Sequence, residues 1–223
     1  MNGVTFADRE GGRLHVVNNK ISNLIQNAYG IANYQLVGAP NWVESDHYDI
    51  EARGPATSGH KEMMLMLQTL LSDRFAMRAH FDTREMPAYI LTVAKGGSKL
   101  RLTGSEDCVP FDSTKPNPEA APNVCGNNHV ARNNVWTANH ISMRDVTGAL
   151  SGVMRRPVID QTGIKGTIDV HLQWADDLTS QENAPDAPSI YVALRETLGL
   201  ELKSGRGPAV VFVIDHIERP TGN

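Results

Sequence analysis

A chain that contains its own pattern twice has few ways to fold, and this one repeats four blocks in order. "NKISNLIQNAYG" from Asn19 is answered by "NHISMRDVTGAL" from Asn139, 120 residues later, with Asn, Ile and Ser in place. At the same offset "YDIEA" from Tyr48 meets "IDVHL" from Ile168, which sets Asp49 opposite Asp169. "LQTLLSDRFAMRAH" resembles "LRETLGLELKSG", and "MPAYILTVAK" from Met86 matches "GPAVVFVIDH" from Gly207. Two homologous halves are therefore expected.

Periodicity gives each half its elements. Arg13–Val17, Tyr34–Val37 and His47–Ala52 alternate like strands. Ser22 is placed to cap a helix running to Tyr29. From His60 to Phe75, Met63, Leu67, Leu70, Leu71 and Phe75 share one helical face, a core stripe rather than a cofactor box. Met77–Asp82 and Ala88–Val93 then read as two strands separated by a turn at Glu85–Pro87. The second half repeats the order. Its elements are Val135–Ala138, a helix capped by Ser142 with Asp145 three residues on and ending at Met154, Val158–Asp160, Thr167–Gln173, a helix Ser189–Leu198, Glu201–Lys203 and Val210–Asp215. The expected architecture is α+β: two β-α-β-β-α-β-β modules, helices on mainly antiparallel sheets. Module one spans 1–95 and module two 135–223. Between them lies 96–134, a long connecting loop rich in Pro, Asn and Gly.

Only two cysteines occur, Cys108 and Cys125, both in that loop. Paired, they close a loop of about 17 residues, worth roughly 3 kcal/mol in the chain-entropy model, and imply an oxidising compartment. The alternative is two unpaired thiols. They lack the close spacing and histidine partners of a zinc site, so no metal and no cofactor is expected.

Five stretches carry a resemblance: "GGRLHVVNNKISNLIQNAYGI", "GAPNWVESDHYDIEA", "MLQTLLSDRFAMRAHFDTREMPAYILTVAKGGSKL", "RPVIDQTGIKGTIDVHLQW" and "VIDHIERPT". In this order they resemble the large paralogous family of secreted proteins of Solibacter-type acidobacteria, a domain of unknown function. The resemblance covers Gly11 to Thr221. It implies export to the periplasm or the extracellular space. It also implies kinship with domains attached to membrane sensor metallopeptidases of the beta-lactam-receptor type. The halves look similar to the small N-terminal modules of secretins and TonB-dependent receptors, an analogy of fold alone. No catalytic residues come with it.

Charge and hydropathy narrow the function classes. The net charge is −4 with both signs mixed along the chain, so no nucleic-acid footprint stands out. No apolar run reaches the roughly 18 residues of a membrane span. The opening "MNGVTFADREGGR" lacks the basic start and apolar stretch of an export signal. Nucleophile elbow, zinc-protease helix and phosphate loop are all missing from the sequence.

What remains is "PNWVESDHYDIEAR", residues 40–53, with four carboxylates beside a tryptophan. Alternation turns Tyr48, Ile50 and Ala52 toward a core and His47, Asp49 and Glu51 outward, an ordinary solvated face. The candidates for chemistry are then Glu44 with either Asp46 or Asp49, as the carboxylate pair of a glycoside hydrolase. Tyr34, Trp42 and Trp174 are the candidate ligand-stacking rings, whereas Trp136 sits in an alternating strand and reads as core. Asp215 and His216 are strand neighbours and point to opposite faces, so they form no dyad. The leading expectation is an exported module binding a protein, peptide or carbohydrate without catalysis. A glycosidase and a ligand sensor are the alternatives.

Overall fold

The computed structural model describes residues 7–9, 13–55, 58–104, 108–109, 124–126, 128–130, 134–175 and 188–221. Its elements are β1 (Ala7–Arg9), β2 (Arg13–Lys20), α1 (Ile21–Tyr29), β3 (Leu36–Val37), α2 (Trp42–Ser45), β4 (His47–Arg53), α3 (His60–Phe75), β5 (Arg78–Val93), β6 (Leu102–Thr103), β7 (Asn128–Val130), β8 (Val135–Ser142), α4 (Met143–Met154), β9 (Val158–Asp160), β10 (Thr167–Gln173), α5 (Ile190–Ala193) and β11 (Leu200–His216). A π-helical turn, Leu194–Leu198, continues α5. The fold is α+β, as expected.

Two compact units emerge, one of residues 1–85 and 208–223, the other of 86–207. Unit 1 holds the antiparallel sheet β1-β2-β4 together with β3, the first part of β5 and the last part of β11. Its core joins Leu14 and Val16 of β2, Leu24 of α1, Leu67 and Leu71 of α3, and Phe212 and Ile214 of β11. Unit 2 holds the sheet β6-β10-β8-β7 and the remaining parts of β5 and β11, with β9 parallel to β5 at Tyr89–Leu91. Its core gathers Trp136, Ile141, Leu150, Ile168, Val170, Leu172 and Leu194. The segment 96–134 supplies β6 and β7 to unit 2. The Cys108–Cys125 disulfide is formed, beside a bridge between Val109 and Val124.

Chain membership is reciprocal. The part of β5 from Met86 belongs to unit 2, and the part of β11 from Pro208 belongs to unit 1. Both crossings lie inside unbroken strands. The expected turn at Glu85–Pro87 does not exist, and Glu201–Lys203 and Val210–Asp215 are one strand. Proline is tolerated where its missing N–H faces an open edge. Tyr89 N donates to Pro157 O at 2.8 Å, on the β9 side, so the position two residues earlier, Pro87, points past the start of β9. Val210 O accepts from Gln35 Nε2 at 2.9 Å on the β3 side, and Pro208 likewise faces past the start of β3.

Two further expectations are corrected. Ser22 does not cap α1; Lys20 occupies that position, while Ser142 caps α4 with Asp145 bonded back to its N–H at 2.9 Å. Leu24 and Ala28 of α1 are buried, as are Val146 and Leu150 of α4. Tyr34 lies in a 3-10 turn, Asn33–Gln35, which leaves a strand of only two residues, β3. β2 and β8 run longer than expected, each through a bulge. At each bulge a residue takes positive φ, Asn18 at 51° and His140 at 54°. Its N–H is held by an aspartate of the facing strand, Asp49 at 2.7 Å and Asp169 at 2.8 Å.

Candidate functional site

The stretch 40–53 divides at His47, as alternation indicated. "PNWVESD" becomes the single turn α2, and the rest becomes β4. Val43 of α2 is buried, which anchors the turn and fixes where its neighbours point. Trp42 lies half-buried against the unit 1 core, 6.4 Å from the Phe75 ring and nearly parallel to it. The Arg219 guanidinium stands over the Trp42 ring at 5.1 Å, within cation–π range. The same guanidinium donates Nε–H to Asp46 Oδ2 at 2.9 Å. Ser45 donates its hydroxyl to the other oxygen, Oδ1, at 2.9 Å.

These bonds decide the electrostatics. The Arg219 hydrogen bond, reinforced by the Ser45 hydroxyl, holds the Asp46 carboxyl below the usual carboxylate range. A depressed pKa means a stabilisation present above the ordinary carboxyl range and lost as pH falls through the depressed value. Arg219→Ala should raise the Asp46 pKa toward the ordinary range, with the Ser45 hydrogen bond still holding part of the depression. An NMR carboxyl titration checks this, and an unchanged Asp46 titration would show that Arg219 is not the cause.

Glu44 is exposed, and its Oε2 accepts the hydroxyl of buried Ser22 at 3.0 Å. Asp49 is committed to the Asn18 N–H at the bulge. On the same outer face Glu51 lies 3.4 Å from His15, both largely exposed. Tyr34 is half-buried in its 3-10 turn. Trp174 is 4% exposed in the unit 2 core, and Trp136 1%, so Trp42 and Tyr34 are the accessible rings of the set. Asp215 and His216 diverge as expected. Asp215 pairs with His80 at 2.8 Å and His216 with Glu218 at 2.9 Å.

Sequence reasoning missed Arg219 and Ser22 as partners of the acidic turn. The only trace of Arg219 is a basic residue after the final strand. Nothing local links it to a turn 173 residues earlier.

Surface concavities of about 380 Å³ along α1 and about 350 Å³ around Gly96 and Gly97 are lined by other residues. Among the described residues, no group of three or more His, Cys, Asp or Glu side chains is placed to hold a metal ion. No described helix is long and apolar enough to cross a membrane.

With this geometry in view, comparison with known families is decisive. The model of a family described as "Protein of unknown function (DUF3738)" matches residues 22–217. The chain belongs to the DUF3738 family. The match takes in Trp42, Glu44, Asp46 and both cysteines, and ends two residues before Arg219. No curated protein and no solved structure matches this DUF3738 chain.

Proposed function

We propose that this DUF3738 protein is an exported binding module, built by internal duplication, that engages a protein, peptide or carbohydrate without catalysis. The observation that carries the reading is the state of the acidic turn. A glycosidase needs one carboxyl kept protonated as the general acid, beside a second that is free to act. Here Asp46 is pushed the other way by Arg219, and Glu44 and Asp49 hold Ser22 and the β2 bulge. Arg219 also occupies ring surface of Trp42 on which a sugar would stack. The carboxylates serve as ties within unit 1.

Export is supported by the disulfide, a bond that persists in oxidising compartments. Duplication is supported by the matched bulges, each closed by an aspartate on the facing strand. Chromogenic glycosides and esters, offered to the wild type, Glu44→Gln and Asp46→Asn, test the absence of catalysis. All three should give the background rate. Turnover by the wild type that either substitution abolishes would replace this reading with a hydrolase.

A further inference from the structure

In unit 2, strand β10 is paired on both sides. β8 lies along one edge, and β6 pairs with the other at Thr167↔Thr103 and Ile168↔Leu102. The counterpart of β10 in unit 1 is β4. Each runs antiparallel to a strand that leads into a helix, and each sends an aspartate into that strand's bulge. Among the described residues, however, β4 is paired with β2 alone. The core-facing residues also differ. Ile168, Val170 and Leu172 of β10 are at most 2% exposed, whereas Tyr48, Ile50 and Ala52 of β4 are only half-buried.

We infer that the edge of β4 that no described strand covers accepts an extended strand from a partner protein, paired antiparallel, in which apolar residues alternate with basic ones. The inference rests on the binding-module reading and names the partner of that module. Addition of a strand to an open edge draws affinity from main-chain hydrogen bonds and selectivity from alternate side chains.

The chemistry of the guest strand is read from β6. β6 and the three residues that precede it read Lys99-Leu100-Arg101-Leu102-Thr103, apolar and basic in turn. Carrying the β6–β10 register on by one residue sets Arg101 across from Asp169, the counterpart of Asp49. On β4 the outward face presents Asp49 and Glu51, the latter with a side chain 80% exposed. Basic residues opposite them are favourable, and like charges are not. This argues against a second copy as the occupant, because antiparallel β4–β4 pairing centred on Ile50 sets Asp49 against Glu51.

The long edge of β5 is guarded where that of β4 is not. Thr83 N–H, which faces outward there by the alternation from Tyr89, is taken by Asp82 Oδ1 at 2.8 Å. Arg84 holds Asp82 in place at 2.9 Å, and Pro87 offers no N–H. A side chain that occupies an edge N–H and a proline in the same strand are ways of blocking strand addition.

The test uses the full chain and a fluorescent peptide SKLRLTG, the sequence of residues 98–104. Binding is read by anisotropy and located by hydrogen exchange. The expected result is saturable binding with exchange slowed in residues 47–53. Glu51→Lys, a change at an exposed side chain, should weaken it by up to about fivefold. A charge-reversed peptide, SELELTG, should bind more weakly still. Protection confined to β10 would mean that the peptide merely replaces β6, and would overturn the inference. So would absence of binding at millimolar peptide. Either failure leaves the binding-module reading standing, since only turnover in the hydrolase screen removes that.

Discussion

Phe212→Ala should remove about 3–5 kcal/mol from unit 1, the usual cost of emptying a buried phenylalanine site. Phe212 is 2% exposed and packs on Tyr29 at 4.3 Å and Phe81 at 5.0 Å between ring centroids. It also sits where β11 pairs with β3. Stabilities of natural domains are on the order of 5–15 kcal/mol, so the loss is a large share of what unit 1 has. The effect should be regional. Hydrogen exchange should quicken in α1, α3 and the 208–216 part of β11, because these share one core with Phe212. A shift below about 1 kcal/mol would show that the end of the chain is not integral to unit 1 and that the strand exchange is unimportant for its stability.

Replacing both cysteines by serine should cost about 3 kcal/mol and lower the thermal midpoint by about 6–12 °C. The bridge joins positions 17 apart in sequence. Among the described residues, the Cys125 N–H to Val109 O bond at 2.9 Å and the Gly126 N–H to Asn139 O bond at 3.0 Å lie beside it. Loss of the cross-link releases chain entropy in the unfolded state, so the unfolded form gains most. Melting of wild type and double variant without reductant measures the effect. Thiol titration of the denatured wild type should find no free thiol. Two free thiols would remove both the stabilisation and the support for an oxidising compartment.

The elements were readable because their signals are local. Of the α3 stripe, which repeats at helical spacing, Met63, Leu67, Leu71 and Phe75 are buried as expected and Leu70 is half-buried. β4, β9 and β10 begin where their alternation begins, and β9 and β10 also end where it ends. The cysteines were readable for a similar reason, as the only two in a stretch with no periodic core. The turn expected at Glu85–Pro87 and the gap expected between Lys203 and Val210 are strand instead, because a proline stops a strand only where both edges are paired. Whether an edge is paired is a property of the sheet. The acidic turn was half legible. Its division at His47 followed from alternation, but its electrostatics depend on Arg219, far along the chain.

The sequence by itself determined the α+β class, most of its helices and strands, and the recurrence of Asp49 as Asp169. Side-chain periodicity and burial are written into neighbouring residues, and they act before any distant contact forms. Tertiary structure alone decided which strand completes which unit, and what each aspartate does. Asp46 meets Arg219, Ser22 faces Glu44, and β5 and β11 each run from one unit into the other because burial of Phe212 and Leu91 is settled by cores assembled from distant segments. No spacing along the chain encodes those partners. They are chosen when hydrophobic faces far apart in sequence close on one another.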